Sequence, residues 1–319
     1  MYGYYGKGNL GDNLIEESIR YFFRDYELKF CNKIVVSDLL YCDGIIIGGG
    51  SILEGKIEKK GVSLEMIKSK VIVYLGIGGE TYIHSDHIEL MKVSKVIGLR
   101  AGYDHIKSEL EKYNIKCIYK MLDLVYLYFI SCGKLISNNE GFNNEGIKNE
   151  GSILVIPNIS VVPKLGDGHW KYVAWDYYLS EFVQFLSELE KGGKVVRFLN
   201  MGEGDYEVSG MIISNWDRGY YRNDRRVYET LMEVIMEVSK YELVISSRYH
   251  GGIVSELSGV RSIIIGHHDK LYREKNYINY YGINKAELWK KYNEDINEKV
   301  DKDISFGVID LVRREFEVL

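Results

Sequence analysis

The apolar run Leu243-Val244-Ile245 ends in Ser246-Ser247-Arg248-Tyr249-His250, and Gly251-Gly252 then open a new segment. These residue types suit one kind of chemistry. Arg248 offers a planar fork that matches the oxygens of a phosphate or carboxylate. His250 exchanges a proton near neutral pH. Ser247 adds a hydroxyl beside them, and the two glycines open room at the start of a helix. A lone histidine is more often a packing residue. An arginine two positions before it, at a strand-to-helix turn, favours an anion site with acid/base capacity.

Glycine-rich turns supply further candidates. Gly3–Asp12 reads GYYGKGNLGD and runs directly into a helical pattern. Glycines allow close backbone approach, and a helix start presents unpaired N–H groups and partial positive charge. Gly8, Asn9, Gly11 and Asp12 are therefore candidates for an anion or acceptor loop, with Asp12 expected as the N-cap. A purely structural turn is the competing reading. The segment is neither a Walker loop nor a dinucleotide fingerprint. Gly48-Gly49-Gly50 follows the apolar Ile45–Ile47, and Gly76–Gly79 follows Val71–Leu75 in the same way. Arg100, after Ser94–Leu99, and Lys270, after Ser262–Ile265, are candidate cations, although either could be a solvated surface charge. His267-His268-Asp269 hints at a metal, but adjacent residues seldom chelate one ion and no second cluster exists, so no metal is expected.

Parallel βαβ units are the elements that would carry such turns at strand ends. Strands are expected at Lys33–Val36, Gly44–Ile47, Lys70–Leu75, Ser94–Leu99, Ser152–Ile156, Val195–Leu199, Leu243–Ser246 and Ser262–Ile265. Helices are expected at Asp12–Asp25, Trp175–Glu190, Arg226–Lys240, Gly251–Ser258 and Ile304–Phe316. Leu124–Cys132 reads as a buried strand or helix segment. In the first helix Leu14, Ile15, Ile19, Phe22 and Phe23 share one face. At 319 residues two domains are expected. They are placed at 1–136 and 152–319, with the polar stretch 137–151 as linker or surface loop. The last helix is free to pack back on the N-terminal lobe. The fold class is α/β, two Rossmann-like lobes with parallel sheets and a ligand cleft between them.

Bulk properties narrow the function. Lys and Arg number 41 against 46 Asp and Glu, a net charge of -5, which argues against general nucleic-acid binding. Cys31, Cys42, Cys117 and Cys132 match no zinc or redox spacing and read as free, buried thiols of a reducing compartment. No charged-then-apolar leader opens the sequence, and the longest apolar run is half a bilayer span, so a cytoplasmic location is expected. The 27 tyrosines fit a sugar-binding surface or, more simply, ordinary packing.

The motifs GYYGKGNLGDN, GGGSILEG, YLGIGGE, GLR, SSRYHGGIVSELSGV and HHDKL stand in the order found in the polysaccharide pyruvyl transferases. The resemblance runs from Gly3 to about Gly282. It implies a fold similar to the two-lobe (GT-B-type) glycosyltransferases. It also implies transfer of a pyruvyl group from phosphoenolpyruvate to a glycan or lipid-linked sugar, giving a pyruvate ketal. The family's Arg and His map onto Arg248 and His250, as donor-binding and acid/base residues. Its strand-end arginine maps onto Arg100, with Ala101 where an Asp is usual, and its Asp-x-Lys-like segment maps loosely onto Asp269 and Lys270. Ser247 joins the donor side. Gly48, Gly49 and Gly50 join Gly8–Asp12 on the acceptor side. Phosphoenolpyruvate is then a co-substrate and no cofactor is implied, while a lipid-linked acceptor would bring peripheral contact with a membrane. The family opening follows a first strand, and Met1 directly precedes it here, so either the start is truncated or the first strand is missing. At Ile156-Pro157-Asn158-Ile159 many members carry an arginine. Two other readings of the architecture stand beside this one. One is a sugar-nucleotide glycosyltransferase, with Glu256 as a ribose-holding carboxylate. The other is a degenerate, non-catalytic glycan-binding member.

Overall fold

The computed structural model describes residues 1–5, 8–50, 52–78, 82–100, 103–137, 151–216, 228, 230–266, 277–294 and 306–317. The chain forms two compact units. The first comprises Met1–Lys7, Asp12–Asn138 and Val300–Leu319, the second Gly8–Gly11 and Asn139–Lys299.

Helix α1 (Leu10–Phe22), which belongs to unit 1 from Asp12 on, buries Leu14, Ile15, Ile19, Phe22 and the adjoining Phe23, the face its spacing defines. The short strands β1 (Ile34–Val35) and β3 (Lys59–Lys60) pair in parallel, and α2 (Val36–Tyr41) follows β1. The main sheet runs β2 (Gly44–Gly50), β4 (Val71–Ile77), β5 (Val96–Leu99), β6 (Ile118–Lys120), all parallel. Helices α3 (Leu64–Lys68), α4 (Ser85–Met91), α5 (Tyr103–Glu111) and α6 (Leu124–Ser137) complete it, so the Leu124–Cys132 run is helical. Strands β2 and β4 are buried almost from end to end, as expected when both faces of a parallel sheet are covered.

The expected gap ahead of the glycine motif is filled by residues 1–3 themselves. Tyr2 N donates to the Ile46 carbonyl at 2.9 Å, Gly48 N to the Tyr2 carbonyl at 3.0 Å, and Gly3 N to the Cys31 carbonyl at 3.0 Å. Tyr2 thus bridges β2 on one side and Cys31 on the other, both in parallel. Two bridges suffice because parallel pairing needs only extended backbone beside an open strand edge.

Unit 2 holds the sheet β11 (Tyr277–Asn279), β10 (Arg261–Gly266), β9 (Leu243–Ser246), β7 (Ser152–Ile156), β8 (Val195–Phe198), again all parallel. Its helices are α7 (His169–Lys191), α8 (Asp205–Asn215), α9 (Leu231–Val238), α10 (Tyr249–Leu257) and α11 (Lys285–Asn293). Strand β7 connects to β8 on one side, and β9 lies on its other side and leads on to β10 and β11. The direction of winding therefore reverses between β7 and β9, and ligands of doubly wound sheets bind outside the carboxyl ends of strands at such a switch.

The final helix, α12 (Phe306–Glu317), packs on β4 and β5 of unit 1 with Val308, Ile309 and Val312 buried. Arg313 Nε donates to the Phe22 carbonyl at the end of α1, at 2.9 Å. The second unit accordingly ends at Lys299 rather than 319, and it takes in Gly8–Gly11. Of the 137–151 segment only Ser137, ending α6, and Gly151, ahead of β7, lie within the described residues. Among the described residues no helix is long and apolar enough to cross a membrane.

A cavity of about 440 Å³ lies in unit 1, lined by Met1, Phe23, Cys31, Gly44, Ile45 and Phe316 among others. It opens at the amino end of β2, and none of the candidate site residues lines it.

Candidate functional site

Strand β9 runs straight into the turn that carries the candidate residues. Ser247 N donates to the Ile156 carbonyl at 2.8 Å, extending the β7–β9 pairing one residue past the strand. Asn158 Nδ2 donates to the Ser247 carbonyl at 3.1 Å from the adjacent strand end. Ser246 Oγ accepts from Arg248 N at 3.0 Å and donates to the Arg248 carbonyl at 2.9 Å, which pins the turn. Arg248 keeps extended backbone, and α10 starts at the next residue. Gly251 is required there: a Cβ would stand 2.2 Å from Ser246 Oγ, so only glycine lets the helix lie this close to the strand end.

Arg248 reaches Asp205, the first residue of α8, in a bidentate pair. Nε donates to Oδ2 at 3.0 Å and Nη2 to Oδ1 at 2.6 Å. The Arg248 side chain is 18% exposed and that of Asp205 is fully buried. Asp205 also accepts the Ile159 N–H at 3.1 Å and the Met201 N–H at 3.2 Å. One carboxylate thus ties together the loops after β7, β8 and β9.

His250 is the second residue of α10, partly buried, its ring edge-on to Tyr249 at 5.4 Å. Its imidazole packs on the backbone of Gly11, where a Cβ would lie only 2.3 Å from Nδ1. Within unit 2, Leu10 N donates to the Met201 carbonyl at 2.6 Å. Asn9 Oδ1 accepts the Gly11 N–H at 3.1 Å. Asn9 therefore caps α1, and Asp12, expected as the cap, sits in its first turn. The reason is positional: the helix begins at Leu10, two residues before Asp12.

Other candidates are placed differently. Ser247 is buried and shares a hydrogen bond with Tyr178, whose phenol burial pushes up, so its hydroxyl is directed into the core. Arg100, expected to present a cation to a donor, is 3% exposed and ion-paired to buried Asp123 within unit 1. Asp123 in turn accepts the Val125 N–H at 3.0 Å at the start of α6. As it stands Arg100 is committed to this pair, because an unpartnered guanidinium inside a core costs far more than a paired one. Gly48, Gly49 and Gly50 form a buried strand end. Gly49 and Gly50 have φ of 80° and 125°, and Tyr5 Oη donates to the Gly48 carbonyl at 2.9 Å. Asp12 Oδ1 comes within 3.6 Å of where a Gly50 Cβ would be. Gly8 is exposed with φ of 66°. Lys270, Asp269, His267 and His268, with Gly6, Lys7, Gly79 and Ala101, lie outside the described residues. Among the described residues no three His, Cys, Asp or Glu side chains gather as metal ligands.

Asp205 is absent from the sequence-based candidates. The sole hint is its place after Gly202-Glu203-Gly204 at a strand end, where an acidic residue also reads as an ordinary helix-start charge.

Two solved structures share this architecture. The UDP-GlcNAc 2-epimerase of Methanocaldococcus jannaschii superposes with a TM-score of 0.51 at 12% identity, over 95% of this chain and 81% of that one. The same enzyme in complex with UDP-GlcNAc and UDP gives 0.53 at 12% identity, over 97% and 81%. The likeness is one of fold and shows the expected GT-B-type α/β class. No curated protein matches the chain. Residues 9–269 match the family described as polysaccharide pyruvyl transferase, a span that runs from the Asn9 cap to Asp269 and takes in Arg248 and His250. With more than half of its length so matched, the chain belongs to the polysaccharide pyruvyl transferase family.

Proposed function

We propose that this protein transfers a pyruvyl group from phosphoenolpyruvate to two hydroxyls of a glycan or lipid-linked sugar and forms a pyruvate ketal. The observation that carries the reading is the placement of Arg248 and His250 on one short turn, at the switch point of the unit 2 sheet.

The chemistry asks for little more. A proton must reach C3 of the donor, which becomes a methyl group and leaves C2 electrophilic. One acceptor hydroxyl adds to C2, phosphate departs, and the second hydroxyl closes the ring. Two hydroxyl protons are lost: in balance one replaces the proton taken up by C3 and the other leaves with phosphate. His250 suits the transfer at the hydroxyl or at C3. Arg248 has Nε and Nη2 engaged, and its Nη1 edge remains for a phosphate oxygen, where directed donors stabilise the charge of the leaving group. The N-terminal turn of α1, with Gly11 beside the imidazole and Asn9 as its cap, suits the acceptor or a second anionic group of the donor.

The test is phosphate release from phosphoenolpyruvate by purified protein given a panel of glycans and lipid-linked sugars, alongside thermal shifts with phosphoenolpyruvate and with nucleotide sugars. Release dependent on acceptor, with stabilisation by phosphoenolpyruvate, is expected. Stabilisation by a nucleotide sugar alone, with no release, would replace this reading by that of a glycosyltransferase.

A further inference from the structure

We propose that Asp205 is a positioning residue for the donor site, acting through Arg248. The proposal rests on the reading that Arg248 meets the donor anion.

Asp205 has no solvent exposure and accepts four hydrogen bonds. Oδ1 takes Arg248 Nη2 at 2.6 Å and Ile159 N at 3.1 Å. Oδ2 takes Arg248 Nε at 3.0 Å and Met201 N at 3.2 Å. The two backbone donors fix the plane of the carboxylate, and the carboxylate fixes the plane of the guanidinium. Gly202 crowds the fork from one side, since a Cβ there would sit 2.5 Å from Nη2. Arg248 alone would lose several side-chain torsions on meeting an anion, and that cost is met in advance when its fork is already held. The pair has no net charge, so Arg248 contributes direction more than field, and the Nη1 edge is the part left to face a ligand.

The hydrogen-bond pattern makes asparagine a poor substitute. Each carboxylate oxygen receives two donors. An amide has a single oxygen, so either orientation sets its NH₂ against two N–H groups. Asp205→Asn should therefore release the fork although the side chain keeps its shape.

Two readouts test this on the full chain. In ¹⁵N-arginine-labelled protein the Nε–H of Arg248, assigned by its loss in Arg248→Lys, should exchange slowly in the wild type and rapidly in Asp205→Asn. Equal protection in both would overturn the proposal. Titration with phosphoenolpyruvate gives the second. Arg248→Lys and Asp205→Asn should each weaken binding by about tenfold or more, and the double variant should bind no worse than Arg248→Lys alone. Additive losses would mean that Asp205 acts on the loops and not through Arg248, and would also overturn it. Should Asp205→Asn fail to fold, Asp205→Glu, which keeps both acceptor oxygens but displaces them by a methylene, takes its place. It should show faster exchange and weaker binding, and unchanged values would again refute the idea. If Arg248→Lys binds phosphoenolpyruvate as well as the wild type does, the donor reading fails, and the exchange measurement still decides whether Asp205 holds Arg248.

Discussion

His250 rests against a glycine, and this makes Gly11 a sensitive probe of the site. In Gly11→Ala the new methyl would overlap the imidazole, so the ring must swing away. Alanine favours a helix over glycine by up to about 1 kcal/mol, which offsets part of the cost of moving the ring. With His250 as the proton-transfer group of the proposed reaction, its displacement by an ångström would cost on the order of 10²-fold in rate. The expected outcome is a loss of turnover of that size from a protein that still folds, read by kinetics and calorimetry together. His250→Ala should lower turnover by about 10²–10⁴-fold without unfolding the protein, because the side chain is only partly buried. The strand-to-helix turn that bears Arg248 and His250 was legible in the sequence because it is a local feature. Asp205, 43 residues before Arg248, was not, since an acidic residue opening a helix carries no mark of its distant partner.

At the level of single elements, the strand ends of unit 1 depend on close backbone packing. A Cβ on Gly48 would lie 2.0 Å from the Leu75 carbonyl oxygen of the neighbouring strand. Backbone cannot rotate away as a side chain does, so Gly48→Ala should cost about 3 kcal/mol, seen as a lower denaturation midpoint. Helix α4 carries a second test. His87 Nδ1 is 3.0 Å from the Tyr74 hydroxyl in the core, and burial is the largest influence on the ring, lowering its pKa from 6.5 to about 4. The unfolded chain therefore takes up this proton first. The contribution to stability is complete above about pH 6.5 and declines as pH falls toward 4, by about 2 kcal/mol between pH 7.5 and pH 5. Urea titrations across that range should show the slope in the wild type and a shallower one in His87→Gln. Equal slopes would show that His87 does not titrate as its burial requires.

For the whole molecule, chain order and spatial grouping part company at both ends. Helix α12 comes last in sequence yet belongs with unit 1, where it covers β4 and β5. Its buried Val308, Ile309 and Val312 would each be worth about 1.5–3 kcal/mol against exposure. Removal of residues 306–319 should therefore destabilise unit 1 by about 5 kcal/mol, followed as faster hydrogen exchange at the β4 and β5 amides. Gly8–Gly11 shows the converse: these residues lie near the start of the chain and group with unit 2, held there by the Leu10–Met201 hydrogen bond and the contact of Gly11 with His250.

The alternation of apolar runs with amphipathic stretches determined the α/β class, the parallel strands and the turn that bears Arg248 and His250. These are periodic or nearest-neighbour properties, and each depends on a few consecutive residues. The capping of α1 by Asn9 was also within reach of such reasoning and was misplaced by three residues, because helix ends depend on weak local preferences. Only the tertiary structure decided which charges are spent inside the protein. Arg100 and Arg248 both follow apolar strands, yet one meets Asp123 and is enclosed, and the other meets Asp205 and keeps an open edge. Where a guanidinium finds its carboxylate depends on how strands stack across the sheet, and no spacing along the chain records that.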